Sequence, residues 1–161
     1  RVDSIVREHG RPLSLVGHSL GGIFARELAR EVPDKIRQVV SLGSPFGRGR
    51  NSGSYPSRLF EALNPEEEIP IPIDELHRSP PVPTTAVYSR GDGIVNWQTS
   101  RQHRDFAGAQ TQSIQIRGSH CGMTLNPVVW YVLADRLQFS ADNWRPFTVG
   151  VLGKLLVPRH R

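Results

Sequence analysis

Cysteine is nearly absent: Cys121 is the only one in 161 residues. A single thiol excludes an internal disulfide framework and any cysteine-rich zinc site. Long apolar runs are missing too. The longest, Val128 to Ala134, has seven residues, against the roughly 20 that a membrane-spanning helix needs, and no stretch reads as a signal peptide. Lysine is scarce, 2 residues against 18 arginines. The arginines are dispersed, with Arg48 and Arg50 the densest pair, so the net charge of +5 forms no basic stripe. Nucleic-acid grooves use such a stripe with interleaved aromatic platforms, and nucleic acid is not expected as a partner. Glycine and proline, 15 and 13 residues, are too few for a collagen-like or low-complexity chain. Methionine occurs once, at Met123, and the chain opens on Arg1. It therefore reads as a piece of a longer protein. Any address signal would precede Arg1, which leaves the cytoplasm as a default.

What is present is enough for one domain, since chains of this size bury roughly 70% of their unfolded surface. Arg1 to His9 reads as a helix end capped by Gly10, with Pro12 after the stop. Leu13 to Val16 is a short apolar run, the pattern of a strand buried on both faces. A helix follows from about Leu20 to Val32, with Ile23, Phe24, Leu28 and Val32 facing inward and Arg26, Glu27, Arg30 and Glu31 outward. Ile36 to Leu42 is a second strand. Residues 46–83 are rich in Pro, Gly, Ser and Asn and read as an excursion over a site, with a short helix at Ser57 to Leu63 whose Leu59, Phe60 and Leu63 could face a lid underside. Thr84 to Ser89 is a third strand, Gln98 to Phe106 a polar helix, and Ser113 to Arg117 a fourth strand. A last helix runs from Pro127 to about Phe139, with Val128, Tyr131, Val132 and Leu137 on its inner side. This alternation predicts an α/β layer sandwich around a mainly parallel sheet. Ligands in such folds sit at the carboxyl ends of the strands, here after Val16, Ser89 and Arg117.

Three motifs stand at those ends. Gly17-His18-Ser19-Leu20-Gly21 fits G-x-S-x-G between a strand and a helix. The tight turn pushes the Ser19 hydroxyl out above the sheet and sets the Leu20 N–H beside it as an oxyanion donor. The competing reading is a glycine-rich turn in which serine caps the helix. A serine hydroxyl needs a base, and the base needs a carboxylate to orient it. Of six histidines, His9, His18, His77, His103 and His160 read as exposed or merely packed. His120 lies in a loop just past a strand, between Gly118 and Gly122, and is the candidate base. Asp34, Asp74, Asp92 and Asp105 precede it as candidate acids. Asp92 follows the third strand in a Gly-Asp-Gly turn and is the preferred one. Cys121 reads as a small packing residue, and Trp97 as either a pocket wall or scaffold.

Gly17-His-Ser-Leu-Gly-Gly22, Tyr88-Ser-Arg-Gly-Asp-Gly-Ile-Val95 and Gly118-Ser-His-Cys-Gly122 with Asn126-Pro127 occur in the order of an α/β-hydrolase. The chain resembles the C-terminal part of bacterial lipase- and esterase-like members, including those akin to the inositol-deacylase branch. The resemblance implies Ser19 as nucleophile, Asp92 as acid and His120 as base, with hydrolysis of a small-molecule or lipid ester through an acyl-enzyme. It implies no metal and no organic cofactor. It also implies that the first strands of the sheet, and a second oxyanion donor, come from residues ahead of Leu13, where this chain has only twelve. Thioester hydrolysis and acyl transfer use the same three residues, and a non-catalytic remnant acting as a binding module is the alternative outside enzymology. Oligomeric state is left open.

Overall fold

The computed structural model describes residues 1–47, 75–103, 108, 110–140 and 143–148. Most of the 46–83 excursion, with its expected helix and lid residues, lies outside them, as do Asp74, Asp105 and His160. Among the described residues four parallel strands form one sheet in the order β1-β2-β3-β4: β1 Leu13–His18, β2 Ile36–Leu42, β3 Thr84–Ser89 and β4 Thr111–Ile116. Helix α1 spans Val2–His9, α2 Leu20–Glu31 and α3 Pro127–Gln138. Gly10 ends α1 in the left-handed conformation, φ 65°, as its position after the last apolar residue predicts.

Pleating sorts the central strands onto two layers, because successive side chains alternate between the faces. Val40, Leu42 and Val87, with Ile114 and Ile116 of β4, pack with Val129 and Val132 of α3, Met123 and Phe147. On the opposite face Val39 packs with Ala25 and Ala29, and Ala86 with Leu20 and Ile23, all four partners on α2. Covered on both faces, β2 and β3 are buried almost throughout, polar residues included, and both strands lie where they are expected.

Several expectations fail for physical reasons. β1 is not buried on both faces: it is an edge strand with one neighbour among the described residues, and Val16 is 45% exposed. Of the polar helix expected over Gln98 to Phe106, Trp97–Ser100 is a 3-10 turn and Arg101 to His103 are not helical, while 104–106 lie outside the described residues. Asn96 caps that turn by accepting from Gln98 N, but no apolar stripe follows to anchor a longer helix. On α3 the buried stripe is Val129, Val132 and Arg136, while Tyr131 and Leu137 are exposed.

Helix α2 departs furthest. Its buried residues are Leu20, Gly22, Ile23, Ala25, Arg26 and Ala29, and Phe24 is 42% exposed. Gly22, Ala25 and Ala29 make a stripe of small side chains that meets the sheet together with Leu20 and Ile23, while Phe24 is left outside. A Cβ on Gly22 would collide with Ser44 Oγ. Arg26 is wholly buried. Its Nη2 donates to Arg78 O and Gln102 Oε1, each at 2.8 Å, and the guanidinium lies 3.7 Å from the centre of the Phe46 ring. Burial pulls its pKa from the ordinary arginine range down to about 9, so it is still a cation at neutral pH. It pins the chain around Arg78 and Gln102 against α2.

Truncating such a buried, hydrogen-bonded cation strands its acceptors and opens a void. Arg26→Ala should cost about 3 kcal/mol, and Arg7→Ala, on the exposed face of α1, should cost almost nothing. Urea unfolding of both variants checks this; equal midpoints would mean that the Arg26 contacts contribute nothing to stability.

Candidate active site

Ser19 follows β1 and precedes the first turn of α2. Among the described residues it is the only non-glycine with positive φ, at φ 54° and ψ −125°. A serine in that conformation is strained by about 1–3 kcal/mol. Its backbone is held there from two sides: Ser19 N donates to Leu42 O at 2.8 Å, and Gly22 N donates to Ser19 O at 3.1 Å. Gly17 is required by space, since a Cβ there would collide with the Gly21 carbonyl. Gly21, the last glycine of the motif, is not, because a Cβ there would meet nothing within 4 Å. The position that needs glycine on the helix side is Gly22. The side chain of Ser19 makes no capping hydrogen bond to α2, so capping does not explain the serine. The Leu20 N–H belongs to the first helical residue, one of the donors that no helical turn uses.

Asp92 and His120 meet across the ends of β3 and β4. His120 Nδ1 lies 2.7 Å from Asp92 Oδ2, with the two side chains 6% and 1% exposed. Asp92 Oδ1 accepts the N–H groups of Ile94 at 3.0 Å and Val95 at 2.8 Å. The Gly-Asp-Gly turn thus uses one oxygen to fix the carboxylate and the other to hold the ring. A carboxylate accepts, so Nδ1 carries a proton, and in the neutral ring Nε2 then keeps its lone pair. The loop that carries His120 is held by its carbonyls. Ser89 Oγ donates to Gly118 O at 2.6 Å, Asn126 Nδ2 to Arg117 O at 2.7 Å, and His18 Nε2 to His120 O at 3.1 Å.

Sequence reasoning passed over Gly43 and His18. Gly43 closes β2 with φ 55°, and a Cβ there would lie 3.1 Å from Asp92 Oδ2 and 3.2 Å from His120 Nδ1. A glycine at the carboxyl end of a central strand was the available signal. Of the other candidates, Asp34, His9 and His103 are exposed and His77 is buried. The Trp97 ring stacks on Tyr88 with centroids 5.7 Å apart, and the Arg90 guanidinium lies 4.9 Å from its centre. Cys121 is exposed rather than packed.

No family model matches the sequence, and no curated protein matches it. Solved structures do. The esterase domain of a Rhodothermus marinus protein is similar with a TM-score of 0.61 at 16% identity, over 87% of this chain and 66% of that one. An α/β-hydrolase enzyme from the sediment metagenome of the Mar Chica lagoon gives 0.60 at 15%, over 84% and 65%. The monoacylglycerol lipase of Paleococcus ferrophilus gives 0.53 at 18%, over 74% and 64%. The chain has the α/β-hydrolase fold. It spans just under two thirds of the length of these three structures, and at these identities the likeness concerns the fold alone.

Within the α/β-hydrolase fold, the described residues include no group of three or more His, Cys, Asp or Glu side chains placed to hold a metal. No described helix is long and apolar enough to cross a membrane. A cavity of about 560 Å³ opens at the amino ends of the strands, among Arg11, Leu13, Arg37 and Leu137. It lies at the far end of the sheet from Asp92 and His120.

A methyl group on Gly43 would press on the Asp92–His120 pair and force the left-handed backbone onto an alanine. Gly43→Ala should lose about 1–2 kcal/mol and displace the His120 ring resonances. Gly93→Ala, where a Cβ meets nothing within 4 Å, should do neither. Unfolding curves and imidazole NMR spectra of the two variants decide it; indistinguishable variants would remove Gly43 from the site.

Proposed function

We propose that this chain carries the catalytic centre of a serine hydrolase that cleaves carboxylic esters of the lipase and esterase type through an acyl-enzyme. The observation that carries the reading is the buried Asp92–His120 pair at the strand ends, with the ring's free Nε2 available to a serine held in a strained turn. The strain favours this over a non-catalytic remnant. A capping serine would explain Ser19 without chemistry, and that cap is not made.

In the proposed reaction Ser19 Oγ attacks the acyl carbon of the ester while its proton passes to His120 Nε2. The carbonyl oxygen becomes an oxyanion and accepts the Leu20 N–H. Asp92 stabilises the imidazolium at Nδ1 without taking its proton. Collapse of the tetrahedral adduct breaks the ester C–O bond, and the departing alcohol takes the proton from His120. Water then gives a proton to His120 and attacks the acyl carbon. The second collapse frees the acid and returns the proton to Ser19. Among the described residues the Ser19 hydroxyl has no hydrogen-bond partner. Contacts between nucleophile and base are often long without substrate and tighten when it binds.

Single substitutions separate the roles. With a short-chain ester, Ser19→Ala should lower kcat by about 10⁶-fold. Asp92→Asn, which offers a donor where an acceptor is required, should lower it by about 10⁴-fold with KM nearly unchanged. Asp34→Asn, on an exposed turn, should behave as the parent. Steady-state kinetics of the three variants are the test, and full turnover by Ser19→Ala would end the proposal.

A further inference from the structure

His18 stands between Gly17 and Ser19 and takes no part in the chemistry just described. Its ring is half-buried against that of His120, with centroids 4.6 Å apart and planes tilted by 39°. Its Nε2 lies 3.1 Å from His120 O. A carbonyl oxygen only accepts, so Nε2 carries the proton and the ring is held in one neutral tautomer. Burial and then the neighbouring His120 ring keep the His18 pKa below its ordinary value, outweighing the His120 carbonyl and Asp92, which act the other way.

The bond from Nδ1 to Asp92 fixes one point of the His120 ring. The separation between that ring and Ser19 depends on how the two main chains are held. Of the three side chains that grip carbonyls of the His120 loop, Ser89 lies on β3 and Asn126 caps α3. His18 alone among them belongs to the turn of Ser19, and it alone grips the carbonyl of His120 itself. We infer that His18 is a positioning residue that ties the backbone of the base directly to the turn carrying the nucleophile and so sets their separation. The inference rests on the proposed roles of Ser19 and His120, and deepens them by assigning work to the residue between Gly17 and Ser19.

His18→Phe keeps a ring against His120 and removes the donor. His18→Gln loses the ring and keeps a donor at comparable reach. Both are made in the full-length chain and assayed with 4-nitrophenyl butyrate. His18→Phe should lower kcat about 10- to 100-fold, the usual effect of misplacing catalytic groups by about an ångström, with KM within about twofold. His18→Gln should stay within about threefold of the parent. In proton NMR the downfield resonance of the Nδ1 proton shared with Asp92 should persist in the parent and in His18→Gln and broaden in His18→Phe. Parent-like kcat in His18→Phe, equal losses in both variants, or a loss confined to KM each overturns the inference. If Ser19→Ala is fully active, the catalytic reading fails separately. The NMR comparison then decides alone whether His18 holds the loop: broadening only in His18→Phe upholds the tie, and identical spectra overturn it.

Discussion

The hydrogen bond between His120 Nδ1 and Asp92 Oδ2, 2.7 Å long and nearly sealed from water, couples the ends of β3 and β4. Burial strengthens it, because in a low-dielectric setting a charge-assisted bond competes with little solvent. It also makes that end of the sheet intolerant. A carboxylate buried this far must have partners, and the turn supplies two from its own backbone, at Ile94 and Val95. Gly43 has to be glycine because the pair fills the space where a side chain would go. Ser19, in turn, hangs from the carbonyl of Leu42, the residue just before Gly43. Four strand ends thus meet around one polar pair and the backbone beside it.

Close packing beneath the site serves the same end. α2 meets the sheet on the small residues Gly22, Ala25 and Ala29 beside Leu20 and Ile23, and at Gly22 there is no room for a Cβ. That approach brings the helix N-terminus, with its unused N–H groups, to the rim. Arg26 then becomes buried, and it is tolerated because two acceptors and an aromatic face receive its head.

Much of this fold could be read from the residues. β2 and β3 are central strands whose β-branched and apolar residues, Ile36, Val39, Val40, Leu42, Thr84, Thr85, Val87 and Tyr88, stand between Pro- and Gly-marked turns, and their bounds follow from that. The turns after β1, β3 and β4 are marked by glycines, which is why Ser19, Asp92 and His120 could be singled out. The sequence misled where size was taken for burial. Phe24 and Tyr131 look like core and are exposed, whereas Arg26 and Arg136 look like surface and are buried. Arg136 is received by its neighbour Asp135 and by Arg145 O, whereas for Arg26 the inversion depends on acceptors distant in sequence, Arg78 O and Gln102 Oε1. His18 was hidden for the same reason: its partner is the carbonyl of a residue 102 positions away. Hydropathy and periodicity carry no trace of such contacts.

Mass mapping of a fluorophosphonate adduct tests the central claim most directly. Reacted with the full-length chain, the probe should leave one phosphonyl group on the peptide containing Ser19, and His120→Ala should abolish the adduct. An adduct on another residue, or none under conditions that fully label a known serine esterase, would contradict the account.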